Sequence, residues 1–184
     1  IAEVDAAQAE WEQSAAAHGT VNWTPLDAQE LQAKGGSEFK KLDDKSILAT
    51  GVNPATETYT IVAPADIESI TAIRLEALPD DTLTAKGPGR SANGNIVLTD
   101  VRVAVRRPGG SGASTAIKLK AASADFSQKD FPVASAIDDK PDTGWAIHPE
   151  VGKPHSAVFE FESPLAPLAP SAGRRAGSEE AAKS

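Results

Sequence analysis

Between residues 22 and 162 the chain consists of short segments rich in β-branched and aromatic residues. The clearest segments are residues 58–62, 70–75 and 95–105, with further candidates at 46–49, 117–121 and 157–161. Turn-forming sequences separate them: Asp43-Asp44, Asn53-Pro54, Pro79-Asp80-Asp81, Gly87-Pro88-Gly89, Asn93-Gly94 and Pro108-Gly109-Gly110. Many short strands joined by such turns favour an all-β fold, an antiparallel sandwich or barrel, over alternating strands and helices.

Both ends of the chain differ from this central region. Residues 2–17 are rich in Ala, Glu and Gln, and their apolar residues recur at helical spacing (Val4, Ala7, Trp11, Ala15). This predicts a helix or connector over residues 1–19, a β domain over 22–162 and, in the Pro- and Ala-rich remainder, a flexible tail over 163–184. Because the chain opens at Ile1 and contains no Met, we expect the natural start to lie upstream.

Charge and composition exclude several classes of function. The formal net charge of −8 argues against nucleic acid as the main partner, because binding phosphates needs a basic surface. No apolar run is long enough for a membrane-spanning helix. The absence of Cys excludes disulfides, thiolate zinc sites, thiol nucleophiles and covalent haem attachment, so we expect no haem in this chain.

Motifs of catalysis fail at specific positions. The stretch from Gly109 to Ala113 lacks the last Gly of a nucleophile elbow. The Gly-Pro-Gly motif at residues 87–89 is one residue short of a dinucleotide fingerprint, and its Pro removes a backbone donor that a phosphate would need, so it is interpreted as a turn. We therefore predict no catalytic residues and no enzyme; Asp80, Asp81, Asp138 and Asp142 are interpreted as turn aspartates.

Residues 125–145 carry the most informative pattern. Ile137 and Trp145 can enter the core while residues 138–142 form a turn rich in carboxylates. Such a turn can cap its own backbone amides, or it can offer Asp138, Asp142 and Thr143 as oxygen ligands to Ca²⁺. Self-capping is favoured because only two or three carboxylates are on offer, but a structural Ca²⁺ stays open.

Two resemblances follow from these motifs. Pro132-Val133-Ala134-Ser135-Ala136-Ile137-Asp138, followed by Asp142-Thr143-Gly144-Trp145, resembles discoidin or coagulation factor 5/8 C-terminal domains of the galactose-binding-like superfamily. That resemblance implies a jelly-roll β-sandwich that binds glycans or lipids, often with calcium near this turn. Residues 23–160 as a whole resemble a module of large secreted planctomycete-type proteins that also carry cytochrome-c-like domains, which implies an extracytoplasmic location, secreted or periplasmic.

The chain departs from that family pattern in two ways. Asp43-Asp44 and Asp138-Asp139 stand where Asp-Gly is usual, and the sequence from Pro164 onward lacks the family's final pair of strands. A frameshift or truncation would explain the second departure and would leave a sheet edge unpaired.

The candidate ligand-binding residues are one large aromatic residue and four polar residues on two predicted loops: Trp145, His148, His155, Arg90 and Asn93. The alternatives are that Trp145 is a core residue and that both His are merely exposed on loops. The core is expected from Leu48, Tyr59, Ile61, Ile73, Leu75, Val97, Val101, Val103, Leu119, Phe126, Ile137, Val158 and Phe159.

These observations predict a non-catalytic carbohydrate-binding or adhesion module of a larger extracytoplasmic protein. The alternative is a structural or interaction domain that has no ligand of its own. The expected partner is accordingly a glycan or neighbouring domains of the parent protein.

Overall fold

The computed structural model describes residues 22–106 and 114–166. The chain divides between Ala65 and Asp66 into two compact units, each with its own strands. The predicted helix over residues 1–19 and most of the predicted tail lie outside the described residues, and the domain boundaries at 22 and 162 stay predictions.

The first unit contains two antiparallel strand pairs. Its strands are β1 (Glu30–Ala33), β2 (Ser37–Lys41), β3 (Ile47–Gly51) and β4 (Tyr59–Val62), of which β1 pairs with β4 and β2 with β3. The β2–β3 turn is closed by Asp44, whose Oδ1 accepts hydrogen bonds from the Ser46 amide (2.9 Å) and hydroxyl (2.6 Å). The predicted Asp43-Asp44 turn is therefore confirmed.

Glu57 joins the β1–β2 turn and the start of β2 to the segment before β4. Its carboxylate accepts the backbone N–H groups of Gly35 (2.5 Å), Ser37 (3.1 Å) and Thr58 (2.9 Å). Burial would raise the pKa of Glu57, but these donors outweigh it and lower the pKa from 4.5 to about 2. The ionised carboxylate thus fixes the β1–β2 connection against the segment before β4.

Replacing Glu57 with Gln should make the free energy of unfolding smaller at neutral pH. Because the folded-state pKa is depressed, the stabilisation by the carboxylate is fully present above about pH 4.5 and is lost as the pH falls towards about 2. In urea denaturation, the free energies of unfolding of the Glu57→Gln chain and the unmodified chain should therefore become more similar as the pH falls over that range. Glu38→Gln, on the exposed side of β2, is the matched control. An equal loss of stability in that variant would show that the hydrogen bonds to the Glu57 carboxylate do not stabilise the fold.

The second unit is organised around the long strand β11 (His155–Leu165), which lies between β5 (Ile70–Ala77) and β9 (Leu119–Ala124) in an antiparallel sheet. Two further antiparallel pairs join β6 (Val97–Leu98) to β10 (Trp145–Ala146), and β7 (Val103–Val105) to β8 (Thr115–Ile117). Short 3-10 helices at Thr84–Lys86 and Val133–Ile137 are the only helices in the described residues. An all-β fold is thus confirmed, with sheets of two or three strands.

The core of the second unit follows the alternation of β11. His155, Ala157, Phe159 and Phe161 are buried, whereas the residues between them are half-buried. Phe159 packs in a cluster with Val133, Ala136, Trp145, Ile147 and Ala157. The predicted core residues Ile73, Val101, Leu119, Phe126 and Ile137 pack against this cluster, and Leu48, Val103 and Val158 are half-buried.

Four predicted core residues are instead exposed: Tyr59 (44%), Ile61 (51%), Leu75 (37%) and Val97 (54%). Tyr59 and Ile61 lie on β4, which pairs only with β1 in the described residues, and Leu75 lies on the edge strand β5. Val97 belongs to a two-residue strand whose neighbour Leu98 takes the inward position. The core prediction was wrong for these residues because alternation does not say which face is covered.

The end of β11 also differs from the prediction. Leu165 still pairs with Ile70 after a register shift, so the strand continues beyond the predicted domain end at residue 162. Across the described residues, the structure has no helix with the length and apolar character needed to cross a membrane.

Candidate functional site

Trp145 is a core residue. It is fully buried, and its indole Nε1 donates a hydrogen bond to the Phe126 carbonyl oxygen at 2.8 Å. This satisfies the one polar atom of the side chain and fixes the ring against Phe159 and Ile147. The prediction that Trp145 offers a ring face to a ligand is therefore corrected, and the core alternative applies.

The acidic turn that precedes Trp145 caps itself. Asp138 accepts the Lys140 amide (2.9 Å) and the Thr143 hydroxyl, which lies 2.8 and 2.9 Å from its two carboxylate oxygens. The Lys140 N–H, opposed by burial and assisted by the Thr143 hydroxyl, holds the pKa of Asp138 below its ordinary value. Asp139 takes a left-handed conformation (φ 59°), the role that Gly commonly fills in such turns.

These contacts leave little for a cation. Calcium takes six to eight oxygen ligands, whereas both Asp138 oxygens are already hydrogen-bonded and Asp142 is exposed. In the described parts of the chain, no three His, Asp or Glu side chains are grouped so that they could hold a metal ion. A structural Ca²⁺ at Asp138, Asp142 and Thr143 stays a prediction that this turn does not require.

The Gly-Pro-Gly loop brings two backbone segments into close contact. The Gly89 amide donates to the Gly94 carbonyl oxygen at 3.0 Å, and Gly94 has a φ of +75°. A Cβ at Gly89 would lie 1.8 Å from the Asn95 carbonyl oxygen, and one at Gly87 would lie 2.3 Å from that of Gly94. The glycines are therefore needed for packing, as the interpretation of this motif as a turn predicts.

Asn95 connects this loop to the segment after Trp145. Its Oδ1 accepts the backbone N–H groups of Ile147 and His148, each at 3.0 Å, and its Nδ2 donates to Gln128 at 3.0 Å. The predicted residues Asn93 and His148 thus lie on two loops that a single side chain joins, and both are exposed. Arg90, on the first of these loops, is half-buried.

Asn93 has a structural role in its own loop. Its Oδ1 accepts the Ser91 hydroxyl (2.8 Å) and the Asn95 amide (3.1 Å). This side-chain turn leaves the amide nitrogen of Asn93 as the group available to a ligand. The bridging role of Asn95 is missed by sequence reasoning, although its place directly after Asn93-Gly94 marks it as a turn-flanking polar residue.

His155 is buried, with 6% of its surface exposed, so the prediction of an exposed loop residue was wrong. It begins β11, and its Nδ1 lies 2.9 Å from Asp125 Oδ2 while its Nε2 lies 2.9 Å from the Glu150 carbonyl oxygen. Both partners are acceptors only. Both hydrogen bonds therefore form together only when the ring carries two protons.

Asp125 and His155 line a groove at one end of the three-stranded sheet. This groove has a volume of about 300 Å³, and we call it the Asp125 groove; it is lined by Arg74, Glu76, Leu78, Asp125, Pro154, His155 and Ser156. Arg74 and Glu76 form an ion pair on β5, and the Ser156 amide donates to Asp125 Oδ1 at 2.8 Å. The predicted ligand residues other than His155 do not line it.

Comparison with family models, curated proteins and solved structures finds no match to this chain.

The polar groups of the Asp125 groove have defined hydrogen-bond partners. Burial would raise the pKa of Asp125, but the Ser156 N–H and His155 lower it, so the carboxylate is ionised at neutral pH. A general acid needs a proton at this position, and a His base needs a free nitrogen, whereas both nitrogens of His155 face oxygen acceptors. What the groove offers is a set of fixed donors and acceptors beside the apolar Leu78 and Pro154.

Proposed function

We propose that this chain is a non-catalytic module that binds carbohydrate in the Asp125 groove. The observation that carries the proposal is the placing of the Arg74–Glu76 ion pair and the His155–Asp125 hydrogen bond in one groove with Leu78 and Pro154. Ligand sites combine an apolar surface with a few fixed polar groups. Sugar hydroxyls both donate and accept, so they suit neighbouring guanidinium and carboxylate groups.

The finer fold assignment belongs to the same proposal. A jelly-roll, galactose-binding-like arrangement is supported by the antiparallel sheet around β11 and by Trp145, which enters the core beside the Asp138 turn. The extracytoplasmic location proposed for the parent protein depends on the resemblance of residues 23–160.

Arg74→Ala should weaken binding to an immobilised polysaccharide. Loss of a hydrogen bond from a charged donor costs about 1.5–3 kcal/mol, which corresponds to roughly a 10- to 100-fold loss of affinity. Arg102→Ala is the matched control, because Arg102, like Arg74, pairs with a carboxylate two positions away (Asp100, at 2.7 Å) but does not line the groove. Affinity electrophoresis in gels that contain different polysaccharides gives the measurement.

Two results would overturn the proposal. One is a folded chain that no polysaccharide retards. The other is equal weakening by Arg74→Ala and Arg102→Ala, which would place binding outside the groove. Circular dichroism of each variant shows whether the fold is intact.

A second candidate function is an interaction domain without a small ligand. The first unit exposes large apolar side chains, with Tyr59 and Ile61 two positions apart on β4 and Leu26 and Val52 elsewhere. Exposed apolar residues that lie together mark contacts with other proteins. If Tyr59→Ser with Ile61→Ser abolished retention by a neighbouring domain of the parent protein, while polysaccharide binding was absent throughout, this second function would replace the first.

A further inference from the structure

We infer that the Asp125 groove takes an uncharged sugar unit and discriminates against uronic and other acidic sugars. This inference rests on the proposed function, since it names the class of carbohydrate that the same groove binds. It is drawn from how the charges of the groove are balanced.

The four ionisable side chains of the groove are hydrogen-bonded or ion-paired in twos. Arg74 pairs with Glu76, and the His155 Nδ1 lies 2.9 Å from Asp125 Oδ2. With His155 doubly protonated, the four side chains have no net charge, and with one proton fewer they carry a net negative charge. In neither state does the groove hold an excess positive charge for a carboxylate or sulfate.

Charges around the groove also disfavour acidic sugars. The whole chain carries a formal net charge of −8, which repels polyanionic chains at a distance. Lys153, which precedes Pro154 at the groove, is itself paired with Glu150. An acidic sugar would therefore bring its charge next to Glu76 and Asp125 without a free cation in the groove lining to compensate for it.

The pairs also fix the directions of the polar groups. Asp125 is held by the Ser156 amide and His155, and Glu76 by Arg74, so that little side-chain entropy is lost when a hydroxyl binds to them. Leu78 is 38% exposed and Pro154 is exposed, which gives the C–H face of a sugar ring an apolar surface. A groove of about 300 Å³ is at the lower end of ligand-site volumes, which suits one or two sugar units.

The test compares neutral and acidic ligands on the full chain. The neutral ligands are oligosaccharides of glucose, mannose and galactose, and the acidic ligands are oligomannuronate and oligogalacturonate of equal length. Calorimetric titration at about 20 mM and about 300 mM salt separates hydrogen bonding from charge attraction, since only the latter is screened. We expect at least one neutral ligand to bind roughly 10-fold more tightly than its acidic counterpart, and its affinity to change by less than about 2-fold with salt.

Glu76→Gln provides the matched change of selectivity. It removes one negative charge from the groove, so the ratio of acidic to neutral affinity should rise by about 5-fold or more at low salt. Glu162→Gln is the control, because Glu162 faces Lys118 at 3.8 Å and does not line the groove. That variant should leave the ratio unchanged.

The outcomes separate this inference from the proposed function. Tight, salt-sensitive binding of an acidic ligand by the unmodified chain would overturn the inference and leave carbohydrate binding intact. A ratio that Glu76→Gln does not change would also overturn it, because selectivity would then arise outside the groove. Failure of every ligand to bind a folded chain would overturn the proposed function itself.

Discussion

Trp145→Ala should lose the folded second unit. Truncating a fully buried Trp costs about 3–5 kcal/mol through lost burial and the cavity that remains. The change also leaves the Phe126 carbonyl oxygen without its indole donor, a further cost of about 1–3 kcal/mol when the group stays buried. Domains are typically stable by only about 5–15 kcal/mol, so a combined cost of about 4–8 kcal/mol is enough to unfold a unit at the lower end of that range. Urea denaturation followed by circular dichroism measures the effect.

Two variants divide this effect into its causes. Trp145→Phe keeps an aromatic ring in the cluster but removes the hydrogen bond to Phe126. Its free energy of unfolding should therefore lie between those of Trp145→Ala and the unmodified chain. Tyr59→Ala removes an aromatic ring that is 44% exposed on the first unit, and it should cost clearly less than Trp145→Ala. Equal midpoints of denaturation for Trp145→Ala and the unmodified chain would show that the indole is not a core residue.

Strands with strong local patterns are predictable from this sequence. β4, β5 and most of β11 alternate apolar and polar residues with β-branched residues among them, which is a signal that needs no partner strand. β1 and β2 lack that signal, because Glu30–Ala33 and Ser37–Lys41 are mostly polar and are defined by their pairing with β4 and β3. Their formation depends on distant residues, and sequence analysis did not predict them.

Residues 95–105 show how tertiary contacts divide an apparent strand. Alternation predicts one long strand, but the structure contains β6 at Val97–Leu98 and β7 at Val103–Val105. Between them the Val101 amide donates to the Ala136 carbonyl oxygen (2.9 Å), which belongs to a 3-10 helix rather than a strand. The intervening residues therefore leave the ladder although their side chains still alternate.

Some parts of the candidate site depend on contacts between residues close in sequence, and others on contacts between distant residues. The Asp138 turn and the Gly89 loop depend on residues within about six positions, and their turn chemistry is visible in the sequence. The Asp125 groove depends on the register of β5 and β9 against β11, which brings Arg74, Asp125 and His155 together across at least thirty positions. Period-two patterns do not fix that register, so the groove was not predicted.

Gly89→Ala should be the most destabilising of the glycine substitutions in the second unit. The added Cβ would lie 1.8 Å from the Asn95 carbonyl oxygen, and this contact is with backbone, so no side-chain rotation relieves it. Separating the two segments breaks the hydrogen bond from Gly89 to Gly94 and displaces Asn95. Overpacking and the lost hydrogen bond together should cost about 2–4 kcal/mol.

The displacement of Asn95 gives this prediction a second measurement at a distance from the mutation. Since Asn95 Oδ1 accepts the amides of Ile147 and His148, Gly89→Ala should speed hydrogen exchange at both amides more than at β9, whose ladder with β11 is independent of this loop. Gly152→Ala is the control, because Gly152 has a φ of +83° but a Cβ there would lie 4.0 Å from the nearest atom outside its chain neighbours, the Ala85 carbonyl oxygen. It should cost about 1–2 kcal/mol from backbone strain alone and leave the Ile147 amide protected. Unchanged exchange at Ile147 in Gly89→Ala would show that the loop yields without moving Asn95, so that the contact between the two loops does not depend on the glycine.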